Sequence, residues 1–199
     1  MNLLLPRWLR LLPGAEDAFV DLAARYGEPA RHYHTLDHIR AVLDRIDTIW
    51  PDTPPALQFA AWLHDVVYDS RAADNEERSA DYARALLPGL GISPATTDES
   101  ARLILLTRSH EADPDDRAGQ TLLDADLAIL AAEELLYDAY AEAIRREYAW
   151  VPEGDYRAGR VRVLERFLAR PRIFFTPPMA EAETRARDNL AREIGRLRL

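Results

Sequence analysis

Apolar residues recur at three- and four-residue steps along most of the chain, the spacing of amphipathic helices. Ala18, Phe19, Leu22, Ala23 and Tyr26 share one face of a helix predicted over 14–26, which Gly27 and Pro29 end. A second helix is predicted from Tyr33, with Ile39, Val42, Leu43, Ile46 and Ile49 on one side, broken at Trp50-Pro51. The third follows Pro54-Pro55 and is apolar nearly all round (Leu57, Phe59, Ala60, Trp62, Leu63, Val66, Val67), as expected of a helix at the centre of a domain. Further helices are predicted from Asn75 to about Leu87, from Ser93 or Thr97 to Ser109-His110, over 122–132 and 133–150 as two helices or one bent one, and over 155–169. Ile173 to Pro178 reads as extended, and an Arg- and Glu-rich helix over 179–197 is expected to cover the outside.

No partner strand, repeat or linker accompanies these elements, so the expected fold class is all-α, a helical bundle in one domain over 1–199. The 199 residues suffice for a full core, and 8 Gly suit a chain with few tight turns. The amino-terminal run Met1 to Pro13 is interrupted by Pro6, Arg7 and Arg10, unlike a signal peptide, and no stretch reaches the length of a membrane span. A cytoplasmic protein with no membrane partner is expected.

Net charge of −9 argues against an extended nucleic-acid surface but leaves small anionic substrates open. All 25 basic residues are Arg, which excludes lysine Schiff-base and P-loop chemistry. With no Cys, any metal must be held by nitrogen and oxygen.

Those ligand types occur in three places. His34 and His38 are four apart, one turn if the second helix includes both. His64-Asp65 closes the apolar third helix, where an unpaired carboxylate is costly. Asp126 lies within an apolar pattern at 122–130, with Asp124 competing for the same role. Each has an ordinary alternative: surface histidines, a salt bridge from Asp65 to an Arg with His64 on a carbonyl, a cap or ion pair for Asp124 or Asp126. One divalent ion (Mn, Fe, Zn, Co, Ni or Mg) satisfies all three at once.

The order Tyr33-His34 with His38, then His64-Asp65, then Asp126, resembles the HD-domain superfamily of metal-dependent phosphohydrolases over roughly 33–130, with the helices of 133–197 packing on that core. Tyr33-His34-x-x-x-His38 is also locally similar to cyclic-nucleotide phosphodiesterases. The resemblance implies that His38, His64, Asp65 and Asp126 are metal ligands. It implies hydrolysis of a phosphate ester or anhydride, with a nucleotide as the expected substrate, by a water activated at the ion. His34 would then be general acid or phosphate contact, and Asp65 or a nearby carboxylate would orient the water. His110 falls where some relatives place a further His, on a second metal or on the phosphate, although a helix-terminal His favoured by the dipole reads equally well.

Arg31 and Arg108, close in sequence to these residues, are candidates to receive substrate charge. Asn75 and Glu76 read as a helix start, Glu76 alternatively as a water-orienting group; Trp62 and Tyr68 read as core packing. Two readings compete with an enzyme: a non-catalytic metal- or nucleotide-binding HD-type module, and a helical bundle whose His and Asp make ordinary polar contacts.

Overall fold

The computed structural model describes residues 4–199; Met1, Asn2 and Leu3, the start of the amino-terminal run, lie outside the described residues. Among those described, the chain is all-helical: α1 (Leu5–Leu11), α2 (Glu16–Tyr26), α3 (Leu36–Ile49), α4 (Pro55–Leu63), α5 (Asn75–Gly89), α6 (Pro94–Leu106), α7 (Arg117–Asp126), α8 (Glu134–Glu147), α9 (Glu153–Leu168) and α10 (Glu183–Leu197). Short 3-10 segments at Leu127–Ala131 and Pro177–Ala182 follow α7 and precede α10. No helix is long and apolar enough to cross a membrane.

The all-apolar segment lies where its composition demands. In α4, Leu57, Phe59, Ala60, Ala61, Trp62 and Leu63 are all buried, among side chains of α3, α5, α6 and α7. Trp62 takes the edge of Trp8 at 5.3 Å and of Phe19 at 6.2 Å between ring centroids. Each fully buried side chain of this size contributes about 2–3 kcal/mol. Trp8 belongs to α1, a helix the broken apolar run did not announce: Pro6 sits in its first turn, where proline is tolerated, and Trp8 donates from Nε1 to Ala15 O at 2.9 Å.

Several elements differ from the sequence reading. α3 begins at Leu36 rather than Tyr33, because Thr35 is extended and its hydroxyl accepts from the Asp37 N–H, a cap that excludes His34 from the helix. The element over 122–132 divides into α7 and a 3-10 segment, and α7 starts earlier, at Arg117. α10 does more than cover the outside: Ala186, Leu190 and Ile194 join a second buried cluster with Tyr137, Leu164, Ile173 and Phe174.

Long-range polar anchors tie this second cluster to the first. Asp124 Oδ1 accepts from Phe175 N (2.8 Å), and its Oδ2 from Thr176 N (2.7 Å) and Oγ1 (2.6 Å). Arg170 donates to the carbonyls of Ser109 and His110, both at 2.7 Å. The extended segment at 173–176 is thus held by a buried carboxylate in place of a partner strand.

Candidate metal centre

α4 ends at Leu63 with His64 as its cap residue, so the pair His64-Asp65 is delivered at a helix terminus whose last carbonyls need partners. Those of Ala60, Ala61, Trp62 and Leu63 meet His64 N, His64 Nδ1, the Tyr26 hydroxyl and Val66 N, while Arg31 holds the turn beyond: its guanidinium donates to Asp65 O at 2.6 Å and Val66 O at 3.0 Å, and also to His34 O and Glu28 Oε2. The Arg31 side chain is buried, with 1% exposure. Four of its N–H donors are thus spent on protein acceptors, so in this structure Arg31 braces the turn that carries Asp65.

Two imidazole nitrogens each approach the same two carboxylate oxygens. His38 Nε2, from the first turn of α3, is 3.1 Å from His64 Nε2, 3.4 Å from Asp65 Oδ2 and 3.2 Å from Asp126 Oδ1. His64 Nε2 is 3.1 Å from Asp65 Oδ2 and 3.5 Å from Asp126 Oδ1. The ligand atoms of His38, His64 and Asp65 all lie within 4.8 Å of one another. Nitrogen and oxygen ligands about 2.0–2.2 Å from a common cation lie roughly 3.0 Å apart in octahedral and about 3.4 Å apart in tetrahedral geometry. The measured separations span that range.

The donor chemistry fits a cation as well. His64 Nδ1 is 3.1 Å from Ala61 O, an atom that only accepts, so Nδ1 carries the proton and a neutral ring turns the Nε2 lone pair toward the two carboxylates. Positive charge at that point, a proton on the imidazoles or a cation in its place, balances the two carboxylates. Burial works to lower His38 and His64, yet Asp126 and Asp65 raise both, His64 strongly. Burial likewise works to raise the two Asp, and the surrounding imidazoles hold both well below the usual carboxylate range. The imidazoles are buried (3% and 1% exposed) and the carboxylates less so (18% and 14%), so the cluster opens on its carboxylate side.

Of the competing pair in α7, Asp126 faces the cluster; Asp124 points the other way, onto 175–176, and burial raises its carboxyl. Asp126 Oδ2 also lies 3.1 Å from His110 Nε2. His110 is not in a helix: α6 ends at Leu106, and His110 sits beyond it in the left-handed region, φ 51°, its ring against Phe167. That places it on a cluster carboxylate, at a backbone conformation few side chains adopt. Arg108 is mostly exposed and pairs with Glu77, and it makes no hydrogen bond to the cluster.

His34 stands ahead of α3, not one helical turn below His38, yet the rings approach edge to face at 5.9 Å between centroids. Its neighbours are Tyr68, stacked at 4.0 Å, and Glu147. Glu147, from the last turn of α8, was not a sequence candidate. Its Oε1 accepts from the backbone N–H of His32 (2.7 Å), Tyr33 (2.7 Å) and His34 (3.0 Å), and Oε2 is 2.7 Å from His34 Nδ1. Burial acts to raise this carboxyl, but the His34 contact and the backbone donors bring it down to about 2. A carboxylate on the stripe Tyr137, Tyr140, Ile144 was the available signal.

Comparisons with family models, with curated proteins and with solved structures find no match to this chain.

Proposed function

We propose that the protein is a metal-dependent phosphohydrolase of the HD type, acting on a phosphate ester or anhydride, a nucleotide being the expected substrate. The observation that carries this reading is that His38 Nε2 and His64 Nε2, 3.1 Å apart, each lie 3.1–3.5 Å from both Asp65 Oδ2 and Asp126 Oδ1. Together with the order H, HD, D along the chain, it supports His38, His64, Asp65 and Asp126 as ligands of a divalent cation. When bound, such an ion supplies Lewis acidity to a phosphoryl oxygen and makes a water more acidic at neutral pH.

The chain's own groups supply the rest. Asp65 uses Oδ2 toward the imidazoles and leaves Oδ1 without a protein partner, free to accept a hydrogen bond from the attacking water. As the water oxygen bonds to phosphorus and the ester or anhydride P–O bond breaks, the leaving oxygen takes a proton. His34 is positioned to give it from Nε2, because Nδ1 is held by Glu147 and the ring by Tyr68. Glu147 acts through His34 as a positioning residue. His110, on Asp126, is read as steering that carboxylate or meeting the phosphoryl group. The substrate is small and anionic, and a cytoplasmic protein remains the reading for the chain.

The test is metal content of the purified protein together with phosphate release from a nucleotide panel with added Mn, Co or Ni. Release that is lost in Asp65→Ala supports the proposal. Full metal occupancy with no release from any substrate supports the non-catalytic binding module in its place.

A further inference from the structure

The polar groups that wall the cluster are almost all committed. His34 Nδ1 is on Glu147, His64 Nδ1 on Ala61 O, and Arg31 on carbonyls. Farther out, Tyr26 donates its hydroxyl to Trp62 O, and the Tyr140 hydroxyl accepts from Arg160. Besides Asp65 Oδ1 and His34 Nε2, already given roles above, Tyr33 is uncommitted. Its ring is fixed on three sides, by His38 at 4.8 Å, Tyr140 at 4.7 Å and His34 at 5.0 Å between centroids, and its N–H is fixed by Glu147. Its hydroxyl makes no hydrogen bond in the protein and is not sealed from solvent.

We infer that the Tyr33 hydroxyl is a substrate-contacting group, donating a hydrogen bond to a non-bridging oxygen of the phosphoryl group bound beside His38. This rests on the phosphohydrolase reading. A rigid ring against a metal ligand presents its hydroxyl without ordering cost, and an uncommitted donor so placed is matched by an anionic acceptor from outside the protein.

The experiment compares wild type with Tyr33→Phe, which keeps the packed ring. Metal content and melting temperature are measured first, then the dissociation constant of inorganic phosphate on the metal-loaded protein by calorimetry, and kcat/KM for a phosphate ester. Loss of one hydrogen bond to a charged acceptor predicts phosphate binding weakened about tenfold or more and kcat/KM reduced about ten- to a hundredfold. Metal content and melting temperature stay unchanged. Phosphate bound equally well by the variant overturns the inference alone. A variant that loses metal or stability overturns it in favour of a structural hydroxyl. Wild type that holds metal but neither binds phosphate nor hydrolyses any ester removes the phosphohydrolase reading and this inference with it.

Discussion

Glu147 and His34, 113 residues apart, meet through a 2.7 Å contact between Oε2 and Nδ1, and the same carboxylate gathers the N–H groups of His32, Tyr33 and His34. One side chain from the carboxyl end of α8 therefore sets the shape of the segment that leads into α3 and selects which nitrogen of His34 is presented to the site. Replacing it by Glu147→Gln keeps the volume and loses the charge. Expected are a loss of about 2 kcal/mol in stability, seen in urea denaturation, and a fall in turnover. The fall is larger for esters of poor leaving groups than for p-nitrophenyl phosphate, because a proton donor matters most when the departing oxygen is basic.

The same carboxylate gives the fold an acid-sensitive anchor. Its folded-state value of about 2 lies below the ordinary 4.5, so the unfolded chain binds the proton more readily. The stabilisation is fully present above the unfolded value and is lost as pH falls from about 4.5 toward 2. Stability measured against pH has a shallower acid slope in Glu147→Gln than in wild type across that window. Equal slopes contradict the assignment.

Asp124 and Asp126, two residues apart on α7, separate cleanly by function. Asp124→Ala leaves the Phe175 and Thr176 donors unpartnered and costs about 2–4 kcal/mol, with metal stoichiometry unchanged. Asp126→Asn leaves the fold in place and weakens metal binding about tenfold or more, read by competition with a chromogenic chelator. Reversal of that pattern would falsify the assignment of Asp126 to the cluster.

Much of this was legible in the sequence. α4 could be placed at the centre because it is apolar on every side, His64-Asp65 and the pair Asp124/Asp126 stood out as polar groups inside apolar patterns, and His38 was singled out by its spacing from His34 and by the resemblance. What was not legible depended on distant partners or on one hydroxyl. Thr35 caps α3 and thereby takes His34 out of the helix, a choice that periodicity does not report. That Arg31 would bond the carbonyls of Asp65 and Val66, in the turn after α4, is not visible in its own neighbourhood of the sequence. Glu147 was hidden because its meaning lies in residues 32–34.

Arg31→Ala separates bracing of this turn from contact with substrate. Removal of a buried cation from the end of α4 exposes the carbonyls of Asp65 and Val66 to an apolar surround and costs about 2–4 kcal/mol. A thermal melt shows this directly. The proportion of native protein falls, while KM of the surviving fraction stays within about twofold, since no substrate contact is lost.

The convergence of side chains from α3, the end of α4 and α7 on one divalent cation is tested most directly by metal uptake. Chelator-stripped protein is titrated with Mn, Co, Ni, Zn, Fe or Mg, and bound metal per chain and melting temperature are measured for wild type and for His64→Ala. Expected are at least one ion per wild-type chain and a melting temperature that rises with it, as for any ligand bound only by the folded state, with both effects lost in His64→Ala. Wild-type protein that takes up none of these ions and melts at the same temperature with and without them contradicts a metal centre and the phosphohydrolase reading built on it.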